Sequence, residues 1–173
     1  MRTFSTLIVL RAPPEALFAV MRDRLAELVG SIDDIKGLEQ LERAETDRDV
    51  LVVNRWHARQ TIQGLVRERL GGGEISWVDR ARWSNQDLIC RWAIEPSLGD
   101  GAISCVGATR FAPAMAGRGC RVTFEGELAI APEFINSLVG PLAGPVRLLV
   151  ESIGMSIVPS NFRSVAELAA KLC

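Results

Sequence analysis

The 173-residue sequence contains no tyrosine and a single histidine, His57. The first absence excludes any mechanism that needs a phenolic acid. The second excludes a two-histidine metal site and leaves His57 as the sole base for any Ser-His or Cys-His chemistry. Lysine is scarce as well, with Lys36 and Lys171 the only two among 20 basic residues. Those 20 meet 21 acidic residues, and a net charge of −1 gives no broad attraction to nucleic acid or anionic membrane. Cys90, Cys105, Cys120 and Cys173 are widely spaced and form no C-x-x-C, so neither a zinc knuckle nor a thioredoxin-like motif is present. They read as free thiols of a cytoplasmic protein. Gly71-Gly72-Gly73 lacks the G-x-G-x-x-G frame and a following helix, and reads as a turn. No nucleophile elbow or metal constellation occurs, so neither a cofactor nor a metal is expected. There is no long apolar run either. The least polar stretch, Leu138 to Val158, contains Pro141, Pro145, Arg147 and Glu151, which suits a buried helix and not a membrane span. Met1 to Arg11 has neither the apolar core nor the cleavage site of a signal peptide.

What is present is an ordinary globular composition, 48% hydrophobic and 24% charged. The length suits one domain over residues 1–173, with no repeat or linker. Thr3 to Arg11 reads as a strand. Pro13 and Pro14 open a helix whose apolar face is Leu17, Val20, Met21, Leu25 and Leu28, with Gly30 at its end. Strands are expected over Ile35 to Thr46 and Val50 to His57, around a charged turn at Asp47 to Asp49. Ala58 to Leu70 suits either a helix or an irregular strand.

Two hairpins follow. Ile75 to Trp83 and Leu88 to Glu95 flank Ser84-Asn85-Gln86-Asp87. Pairing Trp83 with Leu88 puts Trp77, Asp79, Ala81 and Trp83 on one face with Leu88, Cys90, Trp92 and Ile94. The charged residues fall on the other face, and a one-residue slip would invert both. The second hairpin joins Ile103–Phe111 to Cys120–Ile130 through the loop Ala112 to Gly119. Its inward residues are Ile103, Cys105, Gly107, Thr109 and Phe111, then Val122, Phe124, Gly126, Leu128 and Ile130. Gly107 and Gly126 either leave room on that face or mark a bulge or close approach.

The final forty residues read as helix. Leu142, Val146, Leu149, Val150, Ile153 and Ile157 form one stripe. Val158, Phe162, Val165, Leu168 and Leu172 continue it beyond a kink at Pro159. An antiparallel sheet with one apolar face needs a cover, and only this helix is long enough.

Several segments, in order, resemble the SRPBCC superfamily of START-like, helix-grip proteins, and within it the polyketide cyclase/dehydrase-like branch. They are Ala12-Pro13-Pro14-Glu15-Ala16-Leu17-Phe18, Arg55-Trp56-His57, Glu74-Ile75-Ser76-Trp77 and Ile89-Cys90-Arg91-Trp92. The most specific is Arg110-Phe111-Ala112-Pro113-Ala114 with Gly117-Arg118-Gly119-Cys120-Arg121-Val122. Ala58 to Leu70 and the Phe162-Arg163-Ser164-Val165 ending depart from the pattern. The resemblance implies an α+β fold: a curved antiparallel sheet of six to seven strands around a long C-terminal helix, with short helices after the first strand. It also implies an apolar cavity between sheet and helix that takes a lipid, polyketide or other hydrophobic small molecule.

Trp56, Trp77, Asp79, Trp92, Phe111, Phe124, Leu149 and Ile153 are the candidate ligand contacts. The aromatics would supply apolar area, or simply fill the core. A carboxylate at 79 on an apolar face is costly unless paired, and burial would raise its pKa. It would orient a ligand, act as an acid-base group, pair with an arginine, or turn out to water at a bulge. Asn54 and Trp56 compete with His57 for the inner face, and Arg118 reads as a solvated loop residue. Three functions follow: binding of a hydrophobic molecule, a cyclase or dehydratase reaction using Asp79 or His57, or a protein-interaction module with a self-filled cavity. The expected partner is the hydrophobic ligand, with a homodimer as a compatible form, no nucleic acid and no membrane span.

Overall fold

The computed structural model describes residues 2–59, 74–97, 101–137 and 143–173. Strand β1 (Arg2–Leu10) runs into the Pro13-Pro14 pair. Pro13 is extended (φ −60°, ψ 142°) and Pro14 stands in the first turn of α1 (Pro14–Asp23), where a missing N–H costs nothing. Leu17, Phe18, Val20 and Met21 form the buried face of α1. This helix is shorter than its apolar spacing suggests. It stops at Arg24 (φ −119°), and a short α2 (Leu25–Leu28) and a 3-10 turn (Val29–Ser31) carry the chain past Gly30.

Six strands then follow: β2 (Ile35–Glu45), β3 (Asp49–Ala58), β4 (Ser76–Ser84), β5 (Ile89–Pro96), β6 (Ile103–Ala114) and β7 (Gly119–Ile130). All pair antiparallel with their sequence neighbours, and β1 adds to β7, giving the order β1-β7-β6-β5-β4-β3-β2. The segment Ala58 to Leu70, left open between helix and strand, lies outside the described residues beyond Arg59. So do the glycine turn Gly71-Gly72-Gly73 and Leu98–Asp100 of the second connection.

The first hairpin corrects the expected register. Trp83 pairs with Cys90, not Leu88, because Leu88 takes a left-handed conformation (φ 52°) and belongs to the turn. The shift is two residues, so every side chain keeps its face. In the second hairpin Ile103, Cys105, Thr109, Phe111, Val122, Phe124 and Leu128 are buried, as alternation requires. Gly107 and Gly126 face each other across β6 and β7, and Trp92 lies over both. They mark a close approach, not a void.

A short α3 (Pro132–Ser137) leads to the C-terminal segment. It comprises α4 (Ala143–Ser152), a wider π-type turn (Ile153–Ile157) and α5 (Val158–Ala170). Pro159 has no N–H for the carbonyl of Met155, so regular helical bonding cannot pass through this point. Gly154 lies where a Cβ would press on the Leu128 side chain of β7, at 2.7 Å. Val165, Ala166 and Ala169 of α5 are buried, and Phe162 stacks on Phe124 with centroids 4.1 Å apart. The stripe ends earlier than expected, since Leu172 is exposed. A curved antiparallel sheet closed over a C-terminal helix is the helix-grip arrangement. Among the described residues no helix is long and apolar enough to cross a membrane.

All four cysteines are free, with Cys90, Cys105 and Cys120 buried and Cys173 exposed. Burial pushes the Cys105 and Cys120 thiols up to about 11. The thiolate is the nucleophile, so a maleimide at pH 7.5 should label Cys173 alone in the native protein and all four sites after unfolding. Rapid labelling of more than one site per native chain, counted by intact mass, would contradict this packing.

Candidate functional site: an apolar cavity under the C-terminal helix

The strand alternation that builds the core also builds a hollow. On β4 the residues Trp77, Asp79, Ala81 and Trp83 face the helix, and β3, β5, β6 and β7 add Trp56, Trp92, Thr109 and Phe124. Val150, Gly154, Val158, Asn161, Phe162 and Val165 close it from above. Met21, Leu25, Ile32 and Ile35 form one end. The cavity measures about 210 Å³. Among the described residues, side chains leave this space unfilled.

Six aromatic rings line it: Trp56, Trp77, Trp83, Trp92, Phe124 and Phe162. Trp56 and Trp77 pair across β3 and β4 and stack with centroids 6.1 Å apart and an interplanar angle of 9°. Trp92 stacks on Phe124 at 4.8 Å, which in turn stacks on Phe162 of α5. One continuous stack thus joins the sheet to the helix.

Polar groups are few: Ser76, Asp79 and Thr109 on the sheet and Asn161 on the helix. Asp79 is opposite the buried Asn54 on β3 and Ile94 on β5. Its side chain is partly buried and lines the cavity. Burial among apolar groups pushes its carboxyl up to about 7. The Trp56 indole N–H leans the other way, favouring the carboxylate, yet it does not reach full hydrogen-bond geometry. Trp56 Nε1 and Trp92 Nε1 are both buried with no acceptor among the described residues. Cys90 has its thiol raised well above the ordinary value, first by burial and then by the Asp79 charge. No lysine, arginine or histidine is among the described residues lining the cavity, so the salt-bridge reading of Asp79 is not realised there.

Of the candidates named from sequence, Trp56, Trp77, Asp79, Trp92 and Phe124 come together in this cavity. Phe111 does not. It is buried at one end of the sheet, edge-on to Phe18 of α1 at 5.4 Å and 6.2 Å from Trp83, where α1 covers it. The side chains of Leu149 and Ile153 lie outside those described. His57 does not line the cavity. It alternates away from Trp56, and its Nδ1 is 3.5 Å from Glu74 Oε1. Asp79 and His57 thus lie on opposite faces of their strands. Arg118 is exposed in the turn between β6 and β7, away from the cavity. Sequence reasoning misses Gly154, inside the π-type turn, and Asn161, whose inward face follows from the helix phase after it. It also passes over Met21 and Leu25 as cavity residues, placing them only in the core face of α1.

No protein-family model matches the chain, and no curated protein matches it. Solved structures do. The chain is similar to TTHA0849 from Thermus thermophilus, with a TM-score of 0.68, 19% identity and 99% of each chain covered. It is similar to the Zhui aromatase/cyclase from Streptomyces sp. R1128, with a TM-score of 0.66, 14% identity, and 99% and 92% of the two chains covered. It is also similar to Ara h 8.0201, with a TM-score of 0.63, 13% identity and 98% of each chain covered. At these identities the likeness shows the fold, which is of the polyketide cyclase/SRPBCC type.

Proposed function

We propose that the chain binds a hydrophobic small molecule between the sheet and its C-terminal helix. The observation that carries this reading is the aromatic-walled cavity of about 210 Å³. An empty apolar hollow forfeits the dispersion contacts its walls would otherwise make, and an apolar ligand restores them. The two ends of the wall, Trp56 with Trp77 and Trp92 with Phe124, supply large rigid surfaces at little entropic cost.

The reading is tested by filling the hollow. Ile94 lines the cavity and is partly buried. Ile94→Trp should leave the fold intact and abolish the rise in melting temperature that an apolar ligand such as 2-ethylnaphthalene gives the parent chain. If the ligand stabilises both proteins equally, the cavity is not where it binds.

A second reading is cyclase-type chemistry, as the name of one structural relative suggests. The observation in its favour is a carboxyl titrating near neutrality inside the cavity. Asp79 would then act alone as the acid-base group, because His57 faces elsewhere. Loss of turnover with retained binding in Asp79→Asn would support this reading over simple binding.

A further inference from the structure

The sheet ends in two edge strands, β1 on one side and β2 on the other. An edge strand offers alternate N–H and C=O groups to a further strand, and folded proteins blunt such edges with charges, bulges or proline. β2 is blunted twice over. Its ladder with β3 shifts between Ile35 and Gly37 and again between Gln40 and Glu42. It also carries Lys36, Glu39, Glu42, Arg43 and Glu45. β1 has neither device. Its register with β7 is unbroken from Arg2 to Leu10, and Thr3 to Leu10 contains no charge, proline or glycine.

The side chains of β1 differ from those of the other strands as well. Phe4 and Ile8 point to the core, while Leu7 and Val9 point the other way and are 55% and 50% exposed. The other exposed large apolar residues of the sheet, Leu41 and Val106, stand one to a strand. On the β7 side this small patch is bounded by Thr123 and Arg121, the partners of Leu7 and Val9. On its other side the strand ladder stops.

We propose that β1 is a homodimer contact, pairing antiparallel with β1 of a second copy across a twofold axis at Leu7. Leu7 then lies opposite the partner's Leu7, and Val9 opposite the partner's Ser5. Both copies' Leu7 and Val9 meet as one apolar cluster, directly and on the diagonal. Charge permits this pairing. Arg2 falls opposite the partner's Ala12 and Arg11 opposite the partner's Thr3, so no like charges face each other. A twofold pairing of one edge with itself closes at two copies, whereas joining β1 to β2 would grow without closing and meets the bulges and charges of β2.

The test is sedimentation velocity of the full chain from about 2 to 200 µM, since a contact of one strand is small and its dissociation constant should be micromolar. The mass should rise from monomer to dimer and no further. Leu7→Lys enters the contact twice, as two facing ammonium groups, and should weaken association by roughly tenfold or more. Leu7 is exposed, so the variant's melting temperature as a monomer should match the parent's. Leu41→Lys, on the other edge, should associate within about twofold of the parent. Deuterium exchange at β1 amides should slow at the higher concentration, with β2 unchanged. A chain that stays monomeric at 200 µM, a dimer indifferent to Leu7→Lys, or growth beyond two copies overturns the proposal.

Discussion

At pH 8, Asp79→Asn is expected to be more stable than the parent chain, and at pH 4 the two are expected to match. Burial raises the Asp79 carboxyl from its ordinary value of 3.8 to about 7 in the folded state. Below about pH 4 both folded and unfolded chains carry this proton, and Asp79 contributes no pH dependence. Between there and neutrality the unfolded chain releases the proton while the folded chain keeps it. Stability therefore falls as pH rises, by roughly 1.4 kcal/mol per pH unit. Above about pH 7 both states are ionised, and a cost of about 4 kcal/mol remains. Asparagine keeps the shape without the charge, so the variant's advantage should grow between about pH 4 and 7 and then level off. The other titratable groups lining the cavity among the described residues are the Cys90 and Cys105 thiols, held neutral throughout this range by burial. Urea unfolding of both proteins across pH decides it. A stability difference that stays constant with pH would mean that Asp79 is well solvated or paired in solution.

Gly107→Ala is expected to cost about 3 kcal/mol or more, at the upper end of what overpacking does. A Cβ at this position would overlap the backbone oxygen of Glu125 on β7 and lie 2.6 Å from Cη2 of Trp92. The oxygen cannot yield without opening the β6–β7 ladder. The indole cannot yield either, because it is clamped against Phe124. Gly126→Ala should cost less, since its Cβ would meet the rings of Phe4 and Trp92 and no backbone atom. Denaturant midpoints of the two variants test the ranking. If Gly107→Ala stays within about 0.5 kcal/mol of the parent, the indole does not occupy this seat in solution.

Strand faces are legible in the sequence because a period of two is insensitive to a shift of two. Pairing Trp83 with Leu88 sets the first hairpin two residues out of register, yet Trp77, Asp79, Trp83, Cys90 and Trp92 all fall on the correct face. Asp79 stands out for the same reason, as the one charge in an apolar file. Alternation gives a face but not a place along the sheet. It therefore puts Phe111 in the cavity, whereas α1 seals that end of the sheet and makes it core. The exact reach of α1 is hidden because Leu25 and Leu28 continue its spacing after Arg24 has left helical geometry. The orphaned indole donors are also illegible, since hydrogen-bond partners depend on side-chain placement and not on pattern.

The widened turn at Ile153–Ile157 sets the phase of everything after it. A π-type turn accommodates about one extra residue, and one residue of an α-helix is about 100° of rotation. The apolar stripe of the sequence makes the same jump, passing from Ile157 directly to Val158. The two halves of the C-terminal segment thus behave as separately keyed parts. Val165, Ala166 and Ala169 form the buried face of α5 in the orientation that the turn gives it. Loss of one residue from 153–157 would let the helix run straight and swing that face by roughly a quarter of a circle. Substitutions here are tolerated or not according to side-chain size, but length within these five residues is fixed by the fit of the whole lid.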